Sequence, residues 1–142
     1  AADWKVQFTD LFRYNLPISD AALSFEMGYY VTTNLIGMRA AVAMFESLGV
    51  RNIQKHNYAL IDRLAAYIEQ EPFYTITSSM EKAHRSSIFT FSCNDVEKLH
   101  HEILKAGIVL VQREGSVRAS VHLYNNERDI DRLITVLKRF AQ

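Results

Sequence analysis

Arg113 and Arg118 carry the side chain best suited to hold a carboxylate, because a planar guanidinium donates two parallel hydrogen bonds and so fixes orientation as well as charge. They sit in "VQREGSVRASVHLYNNERDIDRL", Val111 to Leu133, flanking a turn at Gly115 and followed by His122, Tyr124 and Asn125. The run after Gly115 alternates. A strand points successive side chains to opposite faces, so Val117, Ala119 and Val121 share one face while Arg118, Ser120 and His122 share the other. An arginine in the middle of such a run has two readings. It is either directed at a ligand or paired to a neighbouring Asp or Glu, and residue spacing alone leaves both open.

The other reactive residue types point to structure. Cys93 ends the apolar run "SSIFTFSC" with no His or basic residue beside it, which describes a buried, inert thiol rather than a nucleophile. His100 and His101 are adjacent, about 100° apart on a helix, and cannot grip one metal as an i, i+4 pair does. No metal site is expected. The runs "VRNIQKHN" and "NNERDIDRL" mix charges on predicted helices and read as solvated faces. No glycine loop for phosphate, HExxH or nucleophile elbow occurs.

The elements that would position the arginines follow from periodicity and capping. Residues 1–31 are aromatic-rich and aperiodic, broken by Pro17 and Gly28, and are expected to be an extended segment packed on something else. Thr32 or Thr33 can open a helix with Leu35, Met38, Val42 and Phe45 at helical spacing, stopped by Gly49. A second helix, about Asn52 to Glu69, has Ile53, Leu60, Ile61, Leu64 and Ile68 on one stripe. "FYTI" and "SSIFTFSC" predict strands. Asn94 with Glu97 resembles a capping box opening a helix through Val96, Leu99, Ile103 and Leu104, ended by Gly107. "IVLVQ" and "SVRASVHL" predict two more strands. A last helix from about Glu127 carries Ile130, Leu133, Ile134, Leu137 and Phe140, with Asn126 as its cap. This order predicts an α+β domain over residues 32–142: a small, mainly antiparallel sheet with helices on one face.

Composition agrees with a globular chain and removes several classes of function. The 142 residues are 49% hydrophobic and 23% charged, enough for one ordinary core. Sixteen basic and sixteen acidic residues cancel, so no global field draws nucleic acid or an anionic membrane. One cysteine forms no internal disulfide, and no apolar run has membrane-spanning length, which makes the cytoplasm the expected compartment. The chain starts without Met at "AADWKVQF", and it is expected to be a fragment.

"FEMGYY", a helix ending "LG", "NIQKHNYALIDRL" and "VQREGSVRASVHLYNNERDIDRL", in that order and spacing, resemble the C-terminal part of class V aminotransferase-like enzymes. These are fold-type I pyridoxal-phosphate (PLP) enzymes, among them cysteine desulfurases, selenocysteine lyases, kynureninases and isopenicillin N epimerases. Trp4 resembles the tryptophan that follows the family's cofactor lysine. The resemblance implies that Arg118 binds the α-carboxylate of an amino-acid-like substrate in a cleft shared with a large domain. It gives Arg113 a secondary substrate-binding role, and His122 and Asn125 a supporting one, with Tyr124 and Asn125 bracing the strand-to-helix turn. Gly28 and Tyr29 fall in the cofactor-phosphate region, where the family commonly has "FE.GT" and here a tyrosine stands in place of the threonine. In the family that threonine reaches the phosphate of the partner subunit, so a homodimer is implied.

The Schiff-base lysine and the large domain are expected outside this sequence, since Lys5, Lys55, Lys82, Lys98, Lys105 and Lys138 do not stand in the matching motif. The resemblance therefore implies no catalytic residue here, PLP in the full-length parent and none bound to this chain alone. Cysteine desulfurases carry a catalytic cysteine on a longer loop between the positions of Arg113 and Arg118. Here only "EGSV" intervenes, a closer likeness to the epimerase-like and lyase-like branches. The alternative is a stand-alone, non-catalytic binding or interaction module with the same fold.

Overall fold

A computed structural model describes residues 31–142; the readings made on Gly28, Tyr29 and the rest of the first thirty positions lie outside the described residues. Helix α1 spans Thr32–Leu48 and α2 Val50–Gln70. Gly49 separates them with φ of 80°, a value that favours glycine, and a Cβ there would meet Asn52 Nδ2 at 3.0 Å. Its carbonyl accepts from the Asn52 and Ile53 amides at 2.9 and 3.1 Å. The second helix therefore begins at Val50, two positions before its expected start.

Four strands follow, β1 (Thr75–Ile76), β2 (Ile88–Ser92), β3 (Val111–Arg113) and β4 (Ser116–Ser120), with α3 (Val96–Lys105) between β2 and β3 and α4 (Glu127–Phe140) at the end. They form one antiparallel sheet in the order β1-β2-β4-β3, the α+β class that the sequence predicts. Residues 45–142 make one compact unit, to which the sheet and α2 to α4 belong.

Alternation divides the sheet into two faces. Phe89, Phe91, Val117 and Ala119 are buried on the face packed against Leu60, Ile61, Leu64 and Ile68 of α2, Leu99 and Ile103 of α3, and Ile130, Leu133 and Leu137 of α4. Truncating any Leu, Ile or Phe among these to Ala costs about 2–5 kcal/mol of stability. The opposite face carries Ile88, Thr90, Ser116, Arg118, Ser120 and Val111, as the register requires.

Helix ends are set by local chemistry, with one correction. The cap of α3 is Asp95, whose carboxylate accepts from the Lys98 amide at 3.0 Å, rather than Asn94. Asp95 is placed three residues before the orphan amide, the reach that a capping oxygen needs. Leu104, expected on the apolar stripe of α3, is 42% exposed. The helix closes with Gly107 N–H on the Leu104 carbonyl and Ile108 N–H on the Ile103 carbonyl, with Gly107 at φ of 72°. Asn126 caps α4 in a capping box with Asp129.

The strand "FYTI" is shorter than predicted because Tyr74 turns inward, where its hydroxyl donates to the Leu137 carbonyl at 2.8 Å. "IVLVQ" likewise contributes only its end to β3; Leu110 is held off the ladder by His100, whose Nε2 lies 2.9 Å from the Leu110 carbonyl.

Candidate functional site

The hairpin that presents Arg118 is built by two residues. Glu114 and Gly115 alone join β3 to β4, with φ of 50° and 72°. Two consecutive left-handed residues make the mirror-image turn whose twist matches antiparallel strands. The turn fixes Arg113 opposite Ser116, Gln112 opposite Val117 and Val111 opposite Arg118. Because Val117 is fully buried, a slip of one residue would bury Arg118 in its place, and the register is therefore strongly held.

Arg118 stands mid-sheet on the open face, flanked by Thr90 of β2 and Val111 of β3. It is half-buried, and no carboxylate among the described residues forms an ion pair with it. Its guanidinium has five N–H donors to place. Arg113 shares the face, two pairs closer to the turn. Its side chain is 67% exposed and lies 3.5 Å from the Glu114 carboxylate, a contact that solvent weakens.

His122 lies beyond the regular pairing of β4, which ends with the Val121 amide on the Ser87 carbonyl. Its ring stacks on Tyr124 at 5.2 Å and meets the edge of Phe45 at 5.9 Å, and its Nδ1 is buried without a partner among the described residues. Asn125 is the hub of the turn into α4. Its Oδ1 accepts from the His122 amide at 2.9 Å, its Nδ2 donates to Asp129, and its carbonyl takes His56 Nε2 at 2.9 Å. Tyr124 is 76% exposed and stacks on His122.

Sequence reasoning passes over three hydroxyls beside Arg118. Thr77 Oγ1 donates to Thr90 Oγ1 at 2.9 Å and lies 3.1 Å from Ser116 Oγ. Thr90 is placed on this face by its alternation with Phe89 and Phe91, which the sequence does contain. Its pairing with Arg118 is a long-range property and has no local signal.

Cys93 packs partly against the core beside Tyr74, and burial raises its thiol above the usual range, the opposite of what a reactive thiolate requires. No group of three metal-ligating side chains occurs among the described residues, and none of their helices is long and apolar enough to cross a membrane.

Comparison with known proteins agrees with this fold. The sequence model of the Aminotransferase class-V family matches residues 6–133. A probable cysteine desulfurase of Methanothermobacter thermautotrophicus is 26% identical, over 87% of this chain and 35% of its own. A probable cysteine desulfurase of Ureaplasma parvum is 27% identical, over 94% of this chain and 36% of its own. Among solved structures, the cysteine desulfurase of Thermococcus onnurineus superposes with a TM-score of 0.77 at 16% identity, covering 89% of this chain and 35% of that one. One from Escherichia coli gives 0.75 at 17%, covering 95% and 35%. These relatives carry the desulfurase name rather than that of the epimerase-like or lyase-like branches to which the short hairpin pointed. The chain spans about a third of the length of the proteins it matches, and it belongs to the class-V aminotransferase family.

Proposed function

We propose that this chain is the carboxylate-binding part of a longer PLP-dependent enzyme of the class-V family, in which residues 32–142 form the small domain and Arg118 holds the α-carboxylate of an amino-acid-like substrate. The observation that carries the reading is a half-buried arginine in mid-sheet, without an ion pair among the described residues. Its two parallel hydrogen bonds would fix the substrate's rotation about Cα, so that one bond, rather than another, is presented for breaking. Arg113, exposed and weakly paired, assists by charge. Asn125 and His122 hold the end of β4 and thereby the position of Arg118.

The cofactor half of the site does not fit the described residues. Lys55, Lys98, Lys105 and Lys138 lie on α2, α3 and α4 and Lys82 on the loop before β2; none belongs to a strand of the open face. PLP, when bound, supplies the electron sink, and we assign its anchoring to the remainder of a homodimeric, cytoplasmic parent. Sulfur transfer through a cysteine of these 142 residues does not suit Cys93, which packs toward the core with a raised thiol.

Two measurements test this reading. Added PLP is expected to leave no stoichiometric visible absorbance band on the isolated chain after desalting, because a surface lysine forms only weak, reversible adducts. A band that survives would mean that a lysine here is activated. The parent coding sequence is expected to place a lysine-bearing large domain ahead of Trp4. A start codon at this boundary would instead favour the stand-alone binding module.

A further inference from the structure

The open face beside Arg118 contains a device that an arginine alone does not need. Thr77 and Ser78 both direct their amides at the Thr90 carbonyl, at 2.9 and 3.3 Å. Both residues lie just past the end of β1, so one carbonyl of β2 serves two successive amides where the ladder ends. The Thr90 amide donates to Ser78 Oγ at 3.1 Å. Continuing the pairing of Thr75 with Ser92 and Ile76 with Phe91 by one residue puts Thr77 opposite Thr90, and its hydroxyl bridges Thr90 and Ser116.

Counting protons gives the chain of hydroxyls a direction. A threonine or serine hydroxyl has one hydrogen to donate. Thr77 spends its hydrogen on Thr90, so the 3.1 Å contact between Thr77 and Ser116 uses the hydrogen of Ser116. Thr90 accepts from Thr77 and keeps its own hydrogen, for which no acceptor stands among the described residues. Each donation polarises the next hydroxyl, so the terminal O–H is the strongest donor of the three. That terminal residue is the direct cross-strand partner of Arg118, and the Cβ atoms of such a pair stand about 4.5–5.5 Å apart.

We propose that Thr90 is a second carboxylate-binding residue, its hydroxyl donating, at the end of the Ser116–Thr77–Thr90 chain, to a remaining lone pair of the carboxylate that the Arg118 fork holds. The proposal rests on the carboxylate role of Arg118 and adds to it a residue, a relay and a preferred side of approach. The carboxylate sits over β2 and β4 rather than over the hairpin, which is also why Arg113, at the turn, is secondary.

Acetate titrated into the 142-residue chain at constant ionic strength, with chloride as the control salt, tests this by NMR. Saturable shifts are expected at the Arg118 side-chain Nε–H and the Thr90 amide together, for acetate and not for chloride. Thr90→Val is similar in shape and suits a strand; it is expected to weaken acetate roughly tenfold, about one charge-assisted hydrogen bond. Thr90→Ser, which keeps the hydroxyl, should bind within about twofold of the original chain. Thr77→Val, which cuts the relay but spares Thr90, should fall between them. If Thr90→Val binds as the original does while Arg118→Lys is weakened, the Thr90 role is overturned and the Arg118 role stands. If Arg118→Lys also binds unchanged, or the original chain shows no saturable acetate shift, both are overturned. Circular dichroism of each variant separates lost binding from lost folding, and Thr90→Ala serves should the valine variant not fold.

Discussion

Nε2 of His56, on α2, lies 2.9 Å from the backbone carbonyl oxygen of Asn125, so a helix early in the chain holds the turn that leaves the arginine strand. The nitrogen donates, and Asn125 passes the restraint to the His122 amide through its own Oδ1. His56→Ala is expected to cost about 0.5–1.5 kcal/mol of stability by urea denaturation. Asn125→Ala removes the bonds to the His122 amide and to Asp129 and is expected to cost more. Equal, negligible losses would mean that the turn holds itself.

The hairpin can be improved at one residue and damaged at the next. Glu114 adopts φ of 50°, a conformation that asparagine and glycine tolerate better than glutamate. Glu114→Asn is expected to stabilise by about 0.5–1 kcal/mol, since its 3.5 Å ion pair with Arg113 is solvent-exposed and contributes little. Gly115→Ala meets no atom within 4 Å, so its cost is the backbone term alone, about 1–2 kcal/mol. Thermal denaturation of the two variants, moving in opposite directions, checks both.

Tyr74 makes stability depend on alkaline pH. Burial pushes its phenol above the usual range, and its hydroxyl donates to the Leu137 carbonyl. The folded state thus holds the proton more tightly than the unfolded chain does. The contribution is complete below the unfolded value of about 10 and is lost as pH rises above it, because the folded state then binds more protons than the unfolded. Tyr74→Phe is expected to make the decline above about pH 10 shallower. It should not remove the decline, since burial raises Tyr67 as well. At neutral pH the loss should be about 0.5–1.5 kcal/mol, toward the lower end because the Leu137 carbonyl keeps the Ala141 amide at 3.1 Å. A slope unchanged by Tyr74→Phe would assign the alkaline transition elsewhere.

Much of this arrangement is legible in the sequence because its signals are local. The alternation from Val117 to Val121 predicts both the buried face and the outward arginine, and Asn126, Gly49 and Gly107 mark helix ends that the structure contains. What is not legible depends on long-range contact. "FYTI" carries strand propensity along its length, yet Tyr74 is drawn to Leu137 on α4, and no local pattern encodes that partner. Asn94 and Asp95 are both competent caps, and only the backbone geometry selects Asp95. The hydroxyl relay joins Thr77, Thr90 and Ser116 from three separate segments. Its members look like ordinary polar strand residues until the register brings them together.

The most direct test of the central claim, that Arg118 serves a carboxylate rather than the fold, is Arg118→Lys in the full-length parent. The measurements are kcat/KM with an L-amino acid that the parent turns over, and the melting temperature of the same preparation. Lysine keeps the charge and loses the planar fork, so kcat/KM is expected to fall by about one to two orders of magnitude, the equivalent of roughly 1.5–3 kcal/mol. Stability should move by less than about 0.5 kcal/mol, and Arg113→Lys should lose less activity. Unchanged kcat/KM in Arg118→Lys, or a large fall in melting temperature with full activity per folded molecule, would contradict the account.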